Sequence, residues 1–455
     1  MKLHWKILLG MLLGVGAGLA LQLLTEVSWI SEATPSGVAV QRMDPDCQRA
    51  AWIAPLAVAA DIFMRLLKML IVPLILTSIV SGVTTISGGA EFGRLGLKTL
   101  AYYLTTSVLA ILGGLTMINL FPLGTDAELG LSIPATFEAG QGRSFVDVLQ
   151  NMVPPNVVEA MSSNSTMLQV IVFALILGFF IGRTPAPHGP RARDLFQSLF
   201  EVMMRVAEGV LQLVPYGVFA LVTKVVGETG IEVFAPLAKF MLLVLGTLLF
   251  HALVVLPTLL WVVGRVSPLR WFQAMLPALM TAFTTSSSSM TLPVSMESCE
   301  KRGKVSNKIS SFVLPLGATI NMDGTALYEC VGVLFLSQYY ASHSPAFELT
   351  LGMQFFVVVT ALLASIGAAG IPSAGLVLKA TILKALGLPD DGVLLLLAID
   401  RPLDMVRTAV NVWSDSCGAA LIARTEGDPV LAPDPPCDND PGPDAGPPSA
   451  TNLPV

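Results

Sequence analysis

Charge is what this sequence has least of. Asp, Glu, Lys and Arg make up 13% of its 455 residues, against 53% apolar residues and a mean hydropathy of +0.71. Soluble domains carry about 25% charged residues, so this composition excludes a soluble enzyme or a nucleic-acid binder and indicates a polytopic membrane protein. Cysteine is also sparse. Cys47, Cys299, Cys330, Cys417 and Cys437 are odd in number and share no CxxC spacing, which argues against a disulfide frame or a metal cluster. The four histidines, His4, His188, His251 and His343, are scattered, and His251 in an apolar helix reads as a packed polar residue. No base follows Arg424, whereas Glu426, Asp428, Asp434, Asp438, Asp440 and Asp444 do, so the net charge of −6 belongs to the tail. Residues 427–455 hold nine of the 31 prolines and read as a disordered, cytoplasmic or trimmed segment.

What is there is apolar length. Windows of roughly 18 or more residues recur, each able to cross a ~30 Å hydrocarbon core. Candidate spans are 7–24, 52–84, 95–121, 165–182, 195–226, 237–264, a pair at 271–298, 305–340, a second pair at 350–388, and 391–424. The first lacks a clear cleavage site and reads as a retained helix rather than a signal peptide. Lys2, Lys6, Arg94, Lys98, Arg183, Arg191, Arg193, Arg265, Arg270, Lys301, Arg302, Lys304 and Lys308 fall on one side, the cytoplasmic one. The opposite loops carry chiefly Arg42, Arg49 and Arg143, and 122–160 is acidic. That assignment closes only if 271–298 and 350–388 each return to the side they entered from, as re-entrant hairpins.

Polar residues cluster where apolar ones are expected. In DRPLDMVRTAVNVWSD (400–415), Asp400, Asp404, Thr408, Asn411 and Asp415 follow at steps of four, four, three and four, with Arg407 three after Asp404. One helix stripe carries them all. A mid-bilayer acid or base costs roughly 2.5 to 3.5 kcal/mol on insertion scales, so such a stripe needs polar partners or a watery cavity. A second polar break, NMDGT (321–325), follows the first hairpin as this helix follows the second. The hairpin tips, TTSSSSMTLP and SIGAAGIPSAG, suit irregular backbone that lines a cavity. A hairpin plus an Asn/Asp helix, met twice from opposite faces, is an inverted repeat, whose interface is where transporters hold substrate and ions.

The chemistry of that interface follows from its donors. Asp404 can meet an ammonium and Arg407 can fork onto a carboxylate, which together describe an acidic amino acid. The plainer alternative is an Asp–Arg pair that neutralises itself. Asp323 and Asp415, with Asn321, Asn411 and hydroxyls, offer hard oxygen donors, which suit sodium. Breaks at Gly317 and Gly324 would free backbone carbonyls for the same purpose. The serine run alone could be only a turn.

Seven segments together resemble the dicarboxylate/amino acid:cation symporters, the glutamate and aspartate transporters. They are RLLKMLIVPLI (65–75), AYYLTTS (101–107), PPNVVEAM (154–161), SSSS (286–289), LPLGATINMDGTALYE (314–329), ASIGAAGIPSAGL (364–376) and DMVRTAVN (404–411). The resemblance covers about 5–425. It implies an all-α protein of eight transmembrane helices plus two re-entrant hairpins, working as an elevator in a homotrimer. Residues 1–264 would then be mainly scaffold and trimerisation helices, with the third and sixth helices joining the transport domain. Residues 265–425 would form that domain's core, with the second hairpin as extracellular gate, and 426–455 the tail.

Carried over by position, the substrate contacts are Ser288, Thr325, Ile371, Gly375, Asp404, Arg407, Thr408 and Asn411. The sodium residues are Gly317, Asn321, Asn411 and Asp415; Thr319, Met322, Ser365, Ile366 and Ala368; and Tyr103, Thr106, Ser107, Asn321 and Asp323. Glu329 stands where proton-coupled carriers of the family have a glutamate, and is the candidate proton residue; hydroxyl capping of that side chain is the alternative. The chain departs from the family in lacking a further arginine at Ser286 or Met405, for which Arg401 is the nearest substitute, and in having Trp413 and Ser414 where smaller residues are usual. The expected activity is sodium-coupled import of glutamate or aspartate, with a co-carried proton, across the plasma (inner) membrane, both termini being cytoplasmic. The missing arginine leaves potassium counter-transport without support. A C4-dicarboxylate or neutral amino acid symporter and an ion channel are the rival readings. A serine hydrolase lacks a base beside Ser286–Ser289, since His251 lies outside the repeat.

Overall fold

The computed structural model describes residues 3–33, 39–44, 46–84, 90–129, 131, 150, 153–162, 167–230, 234–344, 347–367, 374–389 and 392–431. Arg143 and most of the acidic loop, Ala368, Gly370, Ile371 and Pro372 of the second tip, and the tail from 432 lie outside them.

The chain is helical, with one exception. A two-stranded antiparallel ribbon, β1 (Trp29–Ala33) and β2 (Ala39–Met43), pairs Trp29 with Met43 and joins α1 (Leu3–Leu24) to α2 (Gln48–Thr84). The helical reading did not foresee it. Then come α3 (Ala90–Leu120), α4 (Val157–Met161), α5 (Met167–Arg183), α6 (His188–Leu211) and α7 (Val214–Thr229). The span expected at 195–226 is thus two helices, bent by 50°. Pro215 in the first turn of α7 is the cause, since it cannot donate a backbone hydrogen bond to the preceding turn. Next, α8 (Phe234–Phe250) continues through a π turn (His251–Val255) into α9 (Leu256–Val262).

The helix pair at 271–298 and the broken helix stand where the sequence puts them, and of the pair at 350–388 the two arms are described but not the tip. In the first hairpin α10 (Pro268–Thr285) ends on Ser286 at φ 53, and α11 (Ser288–Glu297) starts from Ser287, whose hydroxyl accepts from Met290 N. The serine run therefore makes the reversal itself. After it come α12 (Asn307–Ile320) and α13 (Asp323–His343), separated by Asn321 and Met322 in non-helical conformation. The interruption lies at those two residues and not at Gly317 or Gly324, which are helical. The second hairpin has arms α14 (Leu351–Gly367) and α15 (Ala374–Ala385), and α16 runs without interruption from Gly392 to Glu426.

Among the described residues, Arg94–Leu120 and Phe234–Val262 are each long and apolar enough to cross a membrane, and the bent α6–α7 pair adds a third. Leu9–Leu24, Val72–Thr84, Gln169–Arg183 and Leu351–Ile366 are shorter apolar helices. Packing separates the chain into two neighbourhoods. α1, α2, α5, α6 and α7 pack on one another, while α3 and α8 pack with α13 and α16, against which the hairpins close. Two apolar clusters form the core, and a polar layer parts them. Ile320 and Val412 belong to one cluster and Met322 and Val410 to the other, so the chain passes between them at Asn321 and again at Asn411.

Candidate functional site

That polar layer is a connected set of side chains. Asp323 opens α13, and its Oδ1 accepts from Ser107 Oγ at 2.6 Å and Thr106 Oγ1 at 3.2 Å, both on α3. Its Oδ2 accepts from Ser414 Oγ at 2.6 Å. Asn321 Nδ2 donates to Asp415 Oδ1 at 2.9 Å and to Ser414 Oγ at 3.0 Å, tying the interruption to α16. Asn411 Oδ1 accepts from Gly324 N at 2.8 Å, and its Nδ2 donates to Thr325 Oγ1 at 3.1 Å. Gly317 has a packing reason. A Cβ there would stand 2.4 Å from Asp415 Oδ1 and 2.7 Å from Tyr103 Oη, so only glycine lets both approach the α12 backbone. Tyr103 Oη itself donates to Val313 O at 2.7 Å. Asp323 and Asp415 are buried in this layer, where ionised carboxylates need compensation. The donors around them are oxygen-rich and hard, which fits a monovalent cation.

One to three turns earlier on α16 lies a second group. Arg407 Nη2 donates to Asp404 Oδ1, and Arg401 Nη1 donates to Asp404 Oδ2 at 3.3 Å. Arg407 Nε and Nη1 are buried without a hydrogen-bond partner among the described residues. Gly375, in the first turn of α15, admits that guanidinium: a Cβ there would sit 2.5 Å from Arg407 Nη1. Thr408 Oγ1 donates to Asp404 O at 2.8 Å, and buried Ser288 opens α11, which packs on α16. Glu329 is fully buried on α13, with neither carboxylate oxygen hydrogen-bonded among the described residues.

The third predicted ion set is not gathered to the same degree. Thr319 Oγ1 donates to Leu316 O and faces Gly82 of α2, and Ser365 Oγ donates to Leu362 O. Met322 stands at the interruption and Ile366 packs on the second apolar cluster, while Ala368, like the substrate candidate Ile371, lies outside the described residues.

Two departures find partners. Ser414 joins Asn321 to Asp323 as above. Trp413 Nε1 donates to Ala252 O at 2.9 Å inside the π turn. The π turn commits Leu256 N to His251 O, and Pro257 has no N–H, so the indole supplies the donor that Ala252 O lacks.

Sequence reading missed two residues. His251 Nε2 lies 3.3 Å from Asp323 Oδ2, so the packed histidine is a member of the polar layer. Lys379, a lone base in GLVLKATIL, is fully buried with Nζ 3.3 Å above the Tyr328 ring. A lone ionisable residue in an apolar stretch was the available signal in both cases, but their partners lie on other helices.

A sequence model of the sodium:dicarboxylate symporter family matches residues 3–425. The chain belongs to that family. As a member it is an integral membrane transporter and not an enzyme. It is 33% identical over 418 residues to excitatory amino acid transporter 3 of Mus musculus, covering 81% of this chain and 79% of that one. Excitatory amino acid transporter 1 of Ambystoma tigrinum is 34% identical over 418 residues, covering 80% and 76%. The proton/glutamate-aspartate symporter of Escherichia coli K12 is 33% identical over 383 residues, covering 82% and 85%.

Proposed function

We propose that the protein is a sodium-coupled secondary symporter that imports glutamate or aspartate, with a proton co-carried on Glu329. One observation carries this reading: α16 presents Arg407 with two buried nitrogens that have no hydrogen-bond partner among the described residues, and on the same helix Asp415, tied through Asn321 and Ser414 to Asp323. The first suits the side-chain carboxylate of an acidic amino acid, whose amine Asp404 would hold, and the second suits sodium. Sodium is the required ion because the two aspartates stay ionised in a low-dielectric layer only when a cation compensates them. The names of the relatives agree, two being excitatory amino acid transporters and one a proton/glutamate-aspartate symporter.

Substrate would be held by Ser288, Thr325, Ile371, Gly375, Asp404, Arg407, Thr408 and Asn411. Sodium would be held by three sets: Gly317, Asn321, Asn411 and Asp415; Tyr103, Thr106, Ser107, Asn321 and Asp323; and Thr319, Met322, Ser365, Ile366 and Ala368. The packing of α3 and α8 on α13 and α16 supports a transport domain of 265–425 together with those two helices, moving as an elevator against the remaining helices. The reading further takes eight spans plus two re-entrant hairpins, a homotrimer, and an inner-membrane orientation with cytoplasmic termini from the basic loops.

The test is labelled aspartate and glutamate uptake into proteoliposomes with sodium and pH gradients imposed singly. Sodium-dependent accumulation is expected, with pH dependence lost in Glu329→Gln. Full uptake in sodium-free buffer refutes the sodium claim, and an unaltered pH profile in Glu329→Gln refutes the proton claim.

A further inference from the structure

Lys379 has a built place. Its stem crosses Gly332 of α13 so closely that a Cβ there would stand 2.6 Å from Lys379 Cδ, and its Nζ lies 3.3 Å from the centre of the Tyr328 ring, whose face attracts a cation. The charged groups acting on it are Glu329 from α13 and Asp400, Asp404 and Arg407 from α16. Asp404 is already bonded to Arg401 and Arg407. Glu329 and Asp400 are buried, and neither Glu329 carboxylate oxygen has a hydrogen-bond partner among the described residues. Lys379 is thus a buried base that interacts electrostatically with both carboxylates. With it, three acids (Asp400, Asp404, Glu329) face three bases (Arg401, Arg407, Lys379), and the pocket is formally neutral without any solute.

We propose that Lys379 is a tethered counter-ion, which neutralises the empty pocket so that the unloaded carrier returns across the membrane without an exported potassium ion. The inference rests on the symport reading above. When Glu329 takes up its proton the pocket gains one positive charge, and an acidic amino acid brings one negative charge that cancels it. Loaded and empty pockets are then both neutral, and proton and substrate leave together. A pocket without Lys379 returns with an uncompensated negative charge, a costly state in low dielectric.

Net uptake requires the empty return and exchange does not, so their ratio tests the proposal. The full chain is placed in proteoliposomes under a sodium gradient with choline and no potassium in the lumen. Labelled aspartate uptake is measured into empty vesicles and into vesicles preloaded with unlabelled aspartate. The wild-type protein is expected to give net uptake, changed less than about twofold by luminal potassium. Lys379→Met is expected to lower the ratio of net uptake to exchange about tenfold or more, and Lys379→Arg to hold it within about threefold. Wild-type net uptake that depends on luminal potassium while exchange does not overturns the proposal, whether or not the variants fold. So does a Lys379→Met ratio equal to wild type. Absence of exchange in the wild-type protein overturns the symport reading itself, so the two failures are told apart.

Discussion

Arg407 holds Asp404 with one nitrogen, and two others are buried without a hydrogen-bond partner among the described residues. Removing one member of a buried charge pair costs about 3 to 5 kcal/mol, a factor of hundreds or more in affinity. Arg407→Cys should therefore abolish acidic amino acid uptake while the protein still purifies as a folded species, and unchanged aspartate affinity in tracer competition would refute the assignment. Gly317 answers to a steric argument instead. A methyl added there meets the Asp415 carboxylate, and overpacking costs about 1 to 3 kcal/mol, so Gly317→Ala should raise the sodium concentration for half-maximal uptake roughly five- to hundredfold. Asp404, Arg407, Asn411 and Asp415 were legible because a polar stripe at helical spacing stands out in an apolar helix. His251 and Lys379 were not, because a single base has no period, and its meaning lies in Asp323, Glu329 and Asp400 on other helices. Ser414 was noticed only as a departure; its bond to Asp323 needed the geometry.

Among the elements, the π turn of α8–α9 and the Trp413 indole fit one another. Trp413→Phe keeps an aromatic ring near Phe272 but leaves Ala252 O without its donor. Ala252 is half-buried, so the cost lies towards the lower end of the about 1 to 3 kcal/mol of an unsatisfied buried acceptor, and a lowered thermal unfolding midpoint in detergent should report it. At the far end of α16, Glu426 accepts from Lys98 at 2.6 Å and Arg94 at 2.5 Å. The Lys98 hydrogen bond is the largest cause holding its carboxyl below the ordinary value of 4.5; burial opposes it, and the Lys98 and Arg94 charges add to it. A lowered acid contributes stability above its ordinary value and loses it as pH falls through the lowered one. Glu426→Gln should thus lower the unfolding midpoint slightly at pH 7, less in high salt because exposed pairs are screened, and progressively less as pH falls below 4.5. The serine reversal was legible from its run. The division of α6 from α7 and the β1–β2 ribbon were not: the first turns on Pro215 inside a long apolar window, and the second joins segments with no alternating apolar signal.

At the scale of the molecule, the chain beyond α16 closes back on the first hairpin. Asp428 Oδ2 accepts from Ser306 N and Leu431 N donates to Gly303 O, both at 2.9 Å. A chain ending after Leu431 should keep wild-type uptake and unfolding temperature, whereas one ending after Arg424 should lose stability, as thermal scans would show. The interior of α16 has a further consequence. Asp404 and Asp415 stand eleven residues apart on one uninterrupted helix, about 16 Å along its axis. On the proposed reading, a helix of that length is a tie-rod joining the residues assigned to the amino acid to those assigned to the ions. Neither group would then turn to one side of the membrane without the other, and the stoichiometric bond between cargo and fuel would be held by the stiffness of a single backbone.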